Sequence, residues 1–146
     1  PIGGLQGLIY QKLLVMKEKN ININLEVSNH LNKIFFEKIS NETNYHICTI
    51  VGVILDNAIE AVETLKDKNI GINVYSENDY LVISISNNFE GGIDLTKIDE
   101  RGYSTKGKGR GYGLYLVKQI LDRNSTLGLE REIIGKIFKQ KLKIKI

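Results

Sequence analysis

Apolar residues recur along this chain with two different periods. Leu5, Leu8, Ile9, Leu13 and Met16 fall at helical spacing and predict an amphipathic helix over residues 5–19. Ile21, Ile23, Leu25 and Val27 alternate with polar residues, which predicts a strand over 20–28 with these four on one face. Residues 30–44 have no period and read as loop. From 45 to 65 the pattern is helical again, with a wide apolar face of Ile47, Ile50, Val51, Ile54, Ala58, Ala61, Val62 and Leu65. The runs 70–76 and 81–87 flank Glu77-Asn78-Asp79 and predict a hairpin. Residues 112–123 predict a helix, and 126–134 with 136–146 predict a closing hairpin turned near Gly135. This order predicts an α/β two-layer sandwich, a mixed β-sheet covered on one face by about three helices. One boundary is expected, between a first helical segment, 1–19, and a domain spanning 20–146.

Composition narrows this picture. A chain of 146 residues suits one domain with its own core. The net charge of +3 owes much to Lys136, Lys139, Lys141, Lys143 and Lys145. Their alternation fits the solvent face of a last strand and argues against a nucleic-acid patch. Cys48 is the single cysteine, so no internal disulfide forms, and on the apolar helix it reads as a small hydrophobe. One cysteine with His30 and His46 makes no zinc set. No signal-peptide pattern and no apolar run near 18 residues is present, so no membrane span is expected. The start at Pro1 reads as a piece of a longer protein, and the richness in Ile, Asn and Lys as bacterial.

The chemistry concentrates in three segments. Five glycines fall between Gly102 and Gly113, directly before the helical pattern of 112–123, and Lys106, Lys108 and Arg110 lie among them. Glycines let backbone N–H groups approach an anion, and a helix N-terminus adds partial positive charge, so this is a phosphate cradle. It is not a Walker loop, because no Gly-Lys-Ser/Thr ends it and no strand directly precedes it. On the helix 45–65, Asn57 shares a face with Val53 and Glu60. An amide there is either exposed or bonded to a carbonyl, or its oxygen is a Mg²⁺ ligand. The strand 81–87 ends in Asn87-Asn88-Phe89-Glu90-Gly91-Gly92, which alone reads as a turn.

Taken in order, these segments resemble the GHKL ATPase superfamily, with an N-box on a helix, a G1 box at a strand end and a G2 box opening a helix. The likeness covers nearly everything after Ile21. Leu55-Asp56-Asn57-Ala58-Ile59-Glu60-Ala61 and the Gly102–Leu114 segment look like sensor histidine kinases. Within these they are most similar to Agr-type quorum-sensing receptors, then to citrate and dicarboxylate sensors. The resemblance implies the Bergerat ATP-binding fold, with ATP and Mg²⁺ as cofactors. It makes Asn57 the Mg²⁺ ligand and places Asn87 where the family has the Asp that accepts from the adenine amine. Phe89 falls at the first G1 glycine and Gly91 at the second. Lys106, Gly107, Gly109, Arg110, Gly111 and Gly113 form the phosphate lid, with Leu114 behind it, and Asn57, Lys106 and Arg110 serve catalysis.

Two departures from the family pattern carry consequences. Asn87 keeps an acceptor oxygen but loses a charge, which predicts weaker nucleotide binding. Val53 stands where gyrase-type and anti-sigma-factor members have a Glu general base, and a valine takes no proton. The resemblance therefore implies transfer of the γ-phosphoryl to a histidine, ahead of a serine kinase, an ATPase or a non-catalytic ATP module. Neither His30 nor His46 reads as that acceptor. Residues 1–19 would end the dimerisation helix that leads to it. The implied partners are that histidine-bearing helix hairpin and a response regulator. The implied setting is the cytoplasmic part of a bacterial membrane receptor, homodimeric in full and monomeric as this piece.

Overall fold

The computed structural model describes residues 2–28, 31, 37–93, 95 and 112–146. The order is α1 (Ile2–Glu18), β1 (Asn22–Val27), α2 (Asn41–Val62), β2 (Asn69–Glu77), β3 (Tyr80–Asn88), α3 (Tyr112–Asp122), β4 (Leu127–Ile134) and β5 (Ile137–Lys145). The strands form one mixed sheet in the order β1-β2-β3-β5-β4. β1 runs parallel to β2, and the remaining pairs are antiparallel. The mixed α/β sandwich is thus the architecture the periodicities predict.

Local chemistry sets the breaks. α1 stops at a left-handed Asn20 (φ 58°), and the Ile21 N–H closes back on the Met16 carbonyl at 3.0 Å. Both hairpin turns use a left-handed residue, Asn78 (φ 54°) and Gly135 (φ 58°). α2 begins at Asn41, so residues 41–44, expected to be loop, form its first turn. Ser40 caps that turn: its Oγ accepts from the Thr43 N–H at 3.1 Å. His46, expected to begin this helix, lies in its second turn.

Alternate residues of the sheet divide into a covered face and an open one. Ile70, Ile72, Val74, Leu81, Ile83, Ile85, Leu142 and Ile144 point into the core, and all are buried. α2 is the central helix. Beyond the predicted apolar face it also buries Leu55 and Ile59, because α1 and α3 pack on it from other sides. This explains why α2 is long and apolar enough to meet a length-and-composition criterion for a membrane span: its apolar residues fill the core. The predicted apolar face of β1 is only partly covered, with Leu25 42% and Val27 56% exposed. The β5 lysines do stand on the open face, in alternation with buried Phe138, Gln140, Leu142 and Ile144.

α1 belongs to the same core. Met16 is fully buried and Leu5 nearly so. Lys12 Nζ lies 2.6 Å from Asp56 Oδ1 and Lys19 Nζ lies 2.9 Å from Glu63 Oε2, two ion pairs that tie α1 along α2. Cys48 is half-buried on α2, and burial pushes its thiol pKa up.

Candidate functional site

The helix of Asn57 and the end of the strand of Asn87 both meet the start of α3. Gly113, in its first turn, faces Val53 of α2: a Cβ on Gly113 would stand 2.8 Å from Val53 Cγ1. Leu114, one residue on, packs against the buried pair Phe89 and Phe138. The helix that carries Asn57, the strand end that carries Asn87 and the helix behind the glycine segment thereby meet at one place.

Asn57 lies one turn beyond Val53 on α2. Its Nδ2 is buried and has no hydrogen-bond partner, and its oxygen makes no bond among the described residues. The carbonyl-bonded alternative for this amide therefore does not hold. A buried amide nitrogen with no hydrogen-bond partner leaves the side chain free to turn its oxygen to a ligand. Its oxygen is of the hard-donor type that Mg²⁺ takes, so the residue fits that group.

Asn87 and Asn88 face opposite ways, as strand alternation requires. Asn88 turns to the open face. Its Oδ1 accepts from the Asn69 N–H at 2.9 Å, and its Nδ2 donates to the Asp67 carbonyl at 2.8 Å. Asn88 thus fastens the start of β2, a structural task that sequence reasoning missed. Asn87 turns to the covered face and is 5% exposed. Its Nδ2 donates to the Asn88 carbonyl at 3.0 Å. With the nitrogen held, the oxygen is the end left to receive a donor.

Phe89 is buried against Phe138. Its N–H donates to the Lys136 carbonyl at 3.0 Å, and Lys136 Nζ lies 5.6 Å from its ring centroid. Phe89 therefore wedges the end of β3 against the β4–β5 turn. Gly91 has φ +87°, a left-handed conformation that glycine adopts without strain. Tyr112 is exposed at the head of α3. Lys106, Gly107, Gly109, Arg110 and Gly111, with Tyr103 and His30, lie outside the described residues. Among the described residues no group of three or more His, Cys, Asp or Glu is placed to hold a metal.

A model of the GHKL domain family matches residues 43–145. The chain belongs to the GHKL domain family. It is 32% identical over 141 residues to a probable C4-dicarboxylate sensor kinase of Halalkalibacterium halodurans, covering 92% of this chain and 26% of that protein. A probable C4-dicarboxylate sensor kinase of Bacillus subtilis is 33% identical over 125 residues, covering 82% of this chain and 22% of the relative. The chain thus spans about a quarter of the length of these relatives. Among solved structures, the catalytic domain of histidine kinase ThkA superposes with a TM-score of 0.72 at 21% identity, covering 97% of this chain and 92% of that one. The mycobacterial sensor histidine kinase MprB gives 0.66 at 16% identity, covering 96% and 93%. The fold is that of histidine kinase catalytic domains.

Proposed function

We propose that this chain is the ATP-binding catalytic domain of a two-component sensor histidine kinase, which delivers the γ-phosphoryl of ATP to a histidine on another segment of the longer protein. The observation that supports this reading is the meeting of Val53 with Gly113 and of Leu114 with Phe89, which brings the helix of Asn57 and the strand end after Asn87 against the start of α3.

Each residue has a stated part. Asn87 Oδ1 would accept a hydrogen bond from the adenine amine, its nitrogen being held by the Asn88 carbonyl. Asn57 Oδ1 would hold Mg²⁺. The bound ion supplies charge neutralisation across the phosphates. Lys106, Arg110 and the lid amides of Gly107, Gly109 and Gly111 would neutralise the remaining charge. Val53 holds no proton, so neither water nor a serine hydroxyl is activated from that position. A neutral imidazole is already a nucleophile and needs no such base.

The sensor kinases among its relatives support a receptor setting, with residues 1–19 leading back toward a dimerising, histidine-bearing hairpin and a response regulator downstream. In that setting the domain is cytoplasmic, and this piece is a monomer. The named relatives favour a dicarboxylate-type sensor over a quorum-sensing one.

A nucleotide titration with and without Mg²⁺ tests the site. Wild type should bind ATP more tightly with Mg²⁺, and Asn57→Ala should lose that increment while keeping its Mg²⁺-free affinity. Equal Mg²⁺ dependence in both proteins, or no ATP binding by wild type, would overturn the assignment.

A further inference from the structure

The open face of the sheet lies opposite the helices, and nothing in the proposed function uses it. Strand register writes a row straight across it: Glu26 beside Asn73, Asn73 beside Ser84, Ser84 beside Lys141, and Lys141 beside Glu130. Lys139 lies two residues along β5, on the same face. Asn73, Ser84, Lys139 and Lys141 line one shallow depression.

Two features of this depression ask for a ligand. Ser84 is 3% exposed, yet its hydroxyl makes no hydrogen bond among the described residues. Its hydroxyl is on the wall of a depression that opens to solvent, where a ligand can reach it. The second feature is the charge pattern. Glu130, directly across from Lys141, gives its Oε1 to Lys143 at 3.4 Å, and Glu132 stands 3.9 Å from Lys139. Lys141 is left with no carboxylate partner among the described residues, pointing the same way as Ser84. Glu26 lies two strands from Ser84, about 10 Å away by strand spacing. Glu26 also lines the depression, at the end away from the two lysines.

We infer that this depression is an oxyanion site that takes a phosphate group, received by the Ser84 hydroxyl, the Asn73 amide and the ammonium groups of Lys141 and Lys139. These are donors on three adjacent strands, and charge-assisted bonds to a phosphate are the strong kind. The group could arrive as free phosphate or on a phosphorylated peptide.

Titrating the ¹⁵N-labelled 146-residue chain with inorganic phosphate, against chloride at equal ionic strength, tests this. Saturable shifts should appear at the amides of Asn73, Ser84 and Lys141. Lys141→Gln should weaken binding about tenfold, as loss of a charge-assisted bond implies. Ser84→Ala should weaken it too while leaving unfolding unchanged, because the hydroxyl has no partner among the described residues to lose. A phosphoserine peptide in a second arm separates the sources: tighter binding than phosphate assigns the site to a peptide-borne group, equal binding to the free ion. Shifts that match those in chloride, or that survive Lys141→Gln undiminished, would refute the site. Shifts at residues 112–114 belong to the nucleotide site and are scored apart.

Discussion

Val53 fills the space that a side chain on Gly113 would need, at 2.8 Å from the position of its Cβ. The two residues lie far apart in sequence, and their contact sets how closely α3 approaches α2. It also turns Val53 from a missing base into a packing surface for the helix behind the glycine segment. Gly113→Ala should cost about 1–3 kcal/mol, because a β-branched side chain has few rotamers with which to yield. Val53→Ala in the same chain should recover part of that loss. A double-mutant cycle of urea unfolding measures the coupling. Simple additivity would contradict the contact.

Asn87 should report on the base. Asn87→Ala removes the acceptor and should weaken ATP binding about five- to tenfold, as loss of one neutral hydrogen bond implies. Asn87→Asp restores a charged acceptor and should tighten binding beyond wild type. Calorimetric titration measures both. Unchanged affinity in Asn87→Ala would remove this residue from the site.

α1 should prove part of the core. Met16 is fully buried against α2 and the sheet, so Met16→Ala should cost about 2–5 kcal/mol. Asp56→Asn, which breaks a solvent-exposed ion pair with Lys12, should cost only about 0.2–1 kcal/mol. Urea unfolding of both variants separates apolar packing from the ion pairs. A larger effect from Asp56→Asn would invert the account.

Burial raises the Cys48 thiol pKa and so depletes the thiolate near neutral pH. The native chain should react with a disulfide reagent more slowly than the urea-unfolded chain. The gap should persist as pH rises through the ordinary thiol range. Equal rates at every pH would contradict the packing of Cys48.

Much of this fold is legible in the sequence because period and turn chemistry agree. Alternation in Leu81, Ile83 and Ile85 and the left-handed turns at Asn78 and Gly135 specify the hairpins locally. The start of α2 was hidden because its first turn, Asn41-Glu42-Thr43-Asn44, is polar and reads as loop. The Ser40 cap with Glu42 behind it was the available signal. For the site, Asn57, Asn87 and the glycine segment could be picked out by residue type and spacing. The Gly113–Val53 contact could not, because nothing local records which helix a glycine will meet. The division of labour between Asn87 and Asn88 is equally non-local, since Asn88 bonds to Asp67 and Asn69 on the neighbouring strand and the loop before it.

The most direct test of the central claim is phosphoryl transfer in trans. The chain is mixed with Mg-ATP and the histidine-bearing helix hairpin from its own longer protein, and phosphate on the hairpin is measured by its stability to alkali and lability to acid. Phosphohistidine should form on the hairpin, be lost with Asn57→Ala and be accompanied by little free phosphate. Rapid release of free phosphate with no label on the hairpin would contradict it.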